Sequence, residues 1–214
     1  MLIYFLFILE NVINRVGRPS NLDYKNVSFT AMKLFLENDF HNVSINEICR
    51  ESQQHKQSVY NYFGDLDGIQ LSVIKLYNEL VISPEWSKYE KLNNFFDKLD
   101  LRLTTALEKK YLSHLKIKPI NGCLFKNMYY SRNTLDKKTK KYIIGLESTI
   151  INKLIAWIED AKEKKQISKK IKPIETARII QSMNRSLDTL SYGPLSKKEL
   201  IDTKDQFLDL FKLQ

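Results

Sequence analysis

Between Gln54 and Asn61 the chain gathers Gln54, His55, Lys56, Gln57, Ser58, Tyr60 and Asn61 around a single apolar Val59. Amide, hydroxyl and ammonium groups at this density suit contacts to base edges and phosphates in a DNA major groove, provided that the segment is a helix propped by a partner. A merely solvated helix face has the same composition, so the segment alone leaves both readings open.

The second reactive group is Cys123, in Asn121-Gly122-Cys123-Leu124-Phe125. A helix beginning at about Gly122 would hold this thiol in its first turn, where unpaired N–H groups and the positive dipole end favour thiolate. Lys116, Lys118 and Lys126 are close enough in sequence to add to that effect. A small apolar residue packing at a helix start is the alternative. Cys49 falls on an apolar face and reads as core.

His41, His55 and His114 are scattered, none at ligand spacing to another His or Cys, so no metal site is expected. No Gly-rich phosphate loop, nucleophile elbow or HExxH occurs. Cys123 with His114 lacks an oxyanion hole and an orienting third group, so the chain is not read as an enzyme, and no cofactor is implied.

The elements that must position these groups are helical. Around the polar segment, Ile45, Ile48 and Cys49, then Val59, Tyr62 and Phe63, give two short helices one buried face each. Ser44 stands at the N-cap of the first, with Glu47 placed for a capping box. Residues 22–38 supply a third helix through Phe29, Met32, Leu34 and Phe35. Residues 66–81 continue through Ile69, Val73, Leu76, Tyr77 and Leu80 until Ser83-Pro84, where proline ends the helix. Further amphipathic helices are expected over 88–110, 136–165, 173–190 and 197–212. The stripe of Ile143, Leu146, Ile150, Leu154 and Ile158, widened by Ile144, Ile151 and Ile155, implies burial on two sides.

Taken together, A-M-K-L-F-L-E-N-D-F-H-N-V-S-I-N-E-I, then S-V-Y-N-Y-F and G-D-L-D-G-I, resemble the DNA-binding domain of TetR-family transcription regulators. Ala31, Leu34-Phe35, Phe40, Ser44, Ile45, Ile48, Val59, Tyr60, Tyr62-Phe63 and Ile69 stand where that family places core and backbone contacts. The G-C-L-F-x-N run resembles a motif of one TetR subfamily, which includes electrophile-responsive repressors with a sensor cysteine at that position. Departures are Ser52-Gln53-Gln54 in place of Ala-Gly-Val in the turn, Gln57 for a glycine, and Leu66 for a phosphate-contacting lysine. Gln53 must then either carry backbone strain or take another turn geometry.

The resemblance implies an all-α chain of about nine helices. Residues 1–17 form an apolar extension, read as a mis-assigned start; 18–66 form a helix-turn-helix DNA-binding domain; and 67–214 form a regulatory and dimerisation domain. It implies a cytoplasmic one-component regulator, usually a repressor, binding palindromic double-stranded operator DNA as a homodimer. The last two long helices would pair with their counterparts in a four-helix bundle, and an unknown small-molecule inducer or an electrophile would release the DNA. Ser44 and Tyr60 would hold phosphates. Gln54, His55, Lys56, Gln57, Ser58 and Asn61 would approach bases, with Arg18 in a basic arm, Tyr62 beside them and Cys123 as a possible sensor. A helical small-molecule-binding or interaction protein with degenerate DNA recognition is the alternative.

Composition sets limits on both. With 43% hydrophobic residues, 214 residues can bury a real core, and two cysteines give no disulfide framework. The net charge is +9, yet residues 1–64 balance Arg15, Arg18, Lys25, Lys33, Arg50 and Lys56 against Glu10, Asp23, Glu37, Asp39, Glu47 and Glu51. Bulk charge is therefore no argument for DNA; placement of a few groups is. Met1 to Leu9 lacks a basic n-region and a cleavage site, and no run of eighteen apolar residues spans a membrane, so no membrane partner is expected.

Overall fold

Asp23 opens the first helix, α1 (Tyr24–Glu37), because its carboxylate accepts the Asn26 N–H at 3.0 Å, one of the donors that a helix start leaves unpaired. The computed structural model describes residues 22–212, so the 1–17 extension and Arg18 lie outside the described residues. The other helices are α2 (Ile45–Glu51), α3 (Lys56–Phe63), α4 (Leu66–Tyr77), α5 (Ser83–Tyr89), α6 (Phe95–Glu108), α7 (Leu124–Tyr130), α8 (Lys137–Glu163), α9 (Pro173–Leu190) and α10 (Lys197–Asp209). A 3₁₀ stretch covers Lys110–Leu115, and there is no strand among the described residues.

The rod formed by α4 and α5 corrects the expectation that Ser83-Pro84 ends a helix. Asn78–Ile82 is a π-turn, in which the Ser83 N–H bonds the Asn78 carbonyl, and α5 continues directly with Pro84 in its first turn. Proline has no N–H for the Leu80 carbonyl four residues back, and a ring nitrogen of His114 meets that carbonyl at 3.0 Å instead. Counted as one element, α4–α5 brings the helices to about nine. The helix expected over 88–110 is likewise two pieces, since Asn94 caps α6 by accepting the Phe96 N–H at 2.8 Å.

One continuous core runs through the described residues. Val27, Ala31, Met32 and Phe35 of α1 meet Ile69, Val73 and Ile74 of α4, and Ser28 and Ser72 hydroxyls bond across them at 2.7 Å. The other side of α4–α5 packs on α8, where Trp86, Tyr89 and Trp157 meet edge to face or tilted. Helices α8, α9 and α6 form the body, and α10 closes it on α6 through Phe207, Phe211 and Phe95 and through the Lys204–Asp100 pair. The full capping box is at Ser196 and Glu199 of α10; at Ser44 only the half in which Ser44 accepts the Glu47 N–H, at 3.2 Å, is present.

Candidate nucleic-acid interface and the cavity behind it

The short helix α3 buries Val59, half-buries Ser58 and Phe63, and turns the rest outward. Lys56, Gln57, Tyr60 and Asn61 are exposed together, with His55 exposed as the N-cap and Ser58 half-buried. Gln57 donates to the Asn61 side-chain oxygen at 2.9 Å, and the Lys56 ammonium lies 5.6 Å from the Tyr60 ring centre. These contacts order donors and acceptors along one face of a helix that is too short to hold its shape alone.

The brace comes from α1 and from the turn. Asn26 donates to the Ser52 carbonyl at 2.9 Å, and the buried Ser52 hydroxyl donates to the Ile48 carbonyl at 2.6 Å. Gln54, expected among the base-reading residues, is partly drawn back, since its side-chain oxygen accepts the Asp23 N–H at 3.4 Å. Gln53 takes the left-handed option, with φ of +55°. Tyr62 stacks on Tyr24 of α1 with ring centres 5.1 Å apart and planes 14° apart, so it fixes the far end of α3 while staying exposed. Gly68 sets the α3–α4 approach: a Cβ there would lie 1.9 Å from the Phe63 carbonyl oxygen. Ser44 is exposed at the start of α2 on the same domain. Asp23, Tyr24 and Asn26 escaped the sequence reading because a cap and the polar face of a first helical turn carry no apolar periodicity.

Behind this domain, between α4–α5, α6, α7 and α9, lies a cavity of about 90 Å³. Cys123 is on its wall, correcting the expectation of a first-turn thiolate. It is the N-cap of α7, outside the helix proper, and burial together with the Asp188 carboxylate pushes its thiol up from the ordinary value. Lys126 is held 2.8 Å from Asp188, both side chains buried, so its charge is already matched. Asp188 also accepts from the Tyr111 hydroxyl at 2.9 Å and the Cys123 N–H at 3.1 Å, and the Tyr77 hydroxyl lies 3.4 Å from the Cys123 sulfur. Tyr77 belongs to α4, so the cavity wall and the helix behind α1–α3 share a side chain.

On the opposite wall Arg102 is 6% exposed, stacks over Trp86 at 4.7 Å and donates to the Gln181 side-chain oxygen at 2.5 Å. Gln181 in turn donates to Glu147 at 3.0 Å, and Arg185 pairs with the same carboxylate at 2.5 Å. Sequence reasoning missed this set, although a signal existed: Arg102 and Lys126 interrupt otherwise apolar helix stripes. Among the described residues no group of His, Cys, Asp and Glu could hold a metal, and no helix is long and apolar enough to cross a membrane.

Residues 30–71 match the profile of the family described as bacterial regulatory proteins, tetR family. A TetR-family transcriptional regulator from Cytophaga hutchinsonii superposes with a TM-score of 0.76 at 11% identity, covering 94% of this chain and 100% of that one. One from Agrobacterium tumefaciens gives 0.75 at 9% identity over 89% and 97%. The reduced form of NemR from E. coli gives 0.67 at 12% identity over 89% and 97%. No curated protein matches the chain in sequence. The chain thus carries the N-terminal helix-turn-helix of the TetR family, and its whole course has the TetR-regulator fold; the subfamily with the Gly-Cys-Leu motif finds no such support.

Proposed function

We propose that this protein is a one-component transcriptional repressor that binds a palindromic operator as a homodimer and lets go when a small molecule enters the cavity. The observation that carries the reading is the exposed polar face of α3, seated within the residues that match the family profile. Two copies of α3 about 34 Å apart would enter successive major grooves. Lys56, Gln57 and Asn61 approach the bases there, and Ser44 and Tyr60 hold phosphates.

The dimer forms through α9 and α10, which leave Ile179 55% exposed, Ile201 and Leu190 exposed, and Met183 half-buried, more apolar surface than a solvated helix pair needs. An occupied cavity displaces Tyr77, and with it α4, so that the two α3 helices leave the groove spacing by a population shift. Cys123 acts as a wall residue whose alkylation fills the same space.

Selection of bound sequences from random DNA tests the reading. An inverted repeat with half-sites one helical turn apart is expected, and failure to enrich any sequence would favour the helical binding protein without operator recognition. Ile179→Glu should shift the protein from dimer to monomer in sedimentation and abolish binding to the full repeat; a dimer undisturbed by this charge would remove α9 from the interface.

A further inference from the structure

Three of the four cations in or beside the cavity wall are paired: Lys126 with Asp188, Arg185 with Glu147, and Lys88 with Glu85 at its rim. Arg102 is the remainder. Its guanidinium is buried, no carboxylate among the described residues lies within ion-pair distance of it, and its Nε–H is buried without an acceptor. Gln181, its one hydrogen-bonding partner, is neutral and is itself tied to Glu147. A buried cation with no carboxylate of its own, the neighbouring Glu147 being paired with Arg185, is costly, and the stacking on Trp86 offsets only part of that cost.

We propose that the cavity binds a small organic monocarboxylate, whose head group docks on the Nε edge of Arg102 and whose apolar body lies along Trp86, Phe125 and Ile150. This rests on the ligand-released regulator proposed above and names the ligand class it responds to. A single negative charge matches the single unmatched positive one, whereas a phosphate dianion would leave an excess. The planar fork of a guanidinium fits a carboxylate through two parallel hydrogen bonds. At about 90 Å³ the cavity takes the head group and the first carbons of a chain, and a ring needs its wall to give. Ile82, Trp86 and Ile150 also wall an outer groove between α4 and α8 of about 1050 Å³, so these three side chains are what separates a longer chain from that space.

The test uses the full-length protein without DNA. Thermal unfolding is followed with acetate, hexanoate, decanoate, benzoate and phenylacetate, each beside the amide of the same skeleton, and with inorganic phosphate. At least one carboxylate should raise the Tm while its amide and phosphate do not. Titration calorimetry with that carboxylate should show tenfold or greater weakening in Arg102→Gln and an intermediate loss in Arg102→Lys, which keeps the charge but not the fork. Arg102→Gln should unfold no earlier than the parent protein, since it removes an unmatched buried charge. A panel with no stabilising carboxylate, an amide as effective as its acid, stabilisation by phosphate alone, or undiminished binding in Arg102→Gln would each overturn the proposal. DNA is absent, so a failure here leaves the operator reading standing, and a failure of operator selection leaves this one measurable.

Discussion

The Asp188 carboxylate, on α9, reaches the Lys126 ammonium, on α7, at 2.8 Å, and both side chains are almost wholly buried. The same carboxylate holds the Tyr111 hydroxyl and the Cys123 N–H. Replacing one partner strands the other in a low-dielectric site. Asp188→Asn should therefore lower stability in urea unfolding by about 3–5 kcal/mol. Gly122→Ala attacks the same knot from the backbone, where φ is +80° and a Cβ would sit 2.4 Å from the carboxylate oxygen. It should cost more than the roughly 1–2 kcal/mol expected from the left-handed backbone alone.

Lys56→Ala and Tyr60→Ala remove exposed side chains from α3, so the unfolding midpoint should stay within about 0.5 kcal/mol of the parent protein. Operator affinity should fall in both, and in Lys56→Ala, which removes a cation, the dependence of log affinity on log salt should become shallower. Val59→Ala is the control for the brace. It empties the only buried position of α3 and should cost roughly 1–3 kcal/mol of stability along with DNA binding.

Alkaline pH should loosen the body of the protein. Burial raises the Cys123 thiol above its ordinary 9.0 and the Tyr77 and Tyr111 phenols well above 10.0, and pushes Tyr192 up to about 12. Each of these groups holds its proton more tightly folded than unfolded. Their contribution is whole below the unfolded values and is lost as pH climbs from about 9 through the folded values. Stability measured in urea should be flat from pH 7 to 8.5 and decline beyond pH 9. Over the same range, alkylation of Cys123 by iodoacetamide should be slower at pH 7 than that of a free thiol and accelerate with pH. A thiol that reacts at pH 7 as fast as free cysteine would restore the thiolate read from sequence.

Gln53→Gly should raise stability by roughly 0.5–1 kcal/mol, because glycine takes a φ of +55° without the Cβ contact that glutamine bears there. A loss of stability would mean that the Gln53 side chain contributes more than its backbone conformation costs.

The sequence made the helices legible wherever apolar residues recur at three- and four-residue steps, and the site legible where a family pattern overlapped them. The 173–190 helix and the paired helices around Val59 fall within a residue or two of their expected bounds. The errors are local. Pro84 looked like a terminator because its missing N–H is visible in the sequence, whereas the His114 ring that meets the Leu80 carbonyl comes from thirty-four positions away. The break between α5 and α6 was lost because Leu92, Phe95 and Phe96 keep helical spacing across the Asn94 cap. The cavity was illegible for a related reason: Arg102, Lys126 and Asp188 occupy three helices, and only the packed body shows which charges meet.

The wide turn at Asn78–Ile82 amounts to one surplus residue in the rod made by α4 and α5. The π-turn takes up that residue by under-winding, so deleting one of its five residues should heal it into ordinary helix and leave Trp86 and Tyr89 close to their present phase around the axis. What the deletion removes is the local opening in the backbone ladder, where the Leu80 carbonyl now turns to the His114 ring across thirty-four positions of chain.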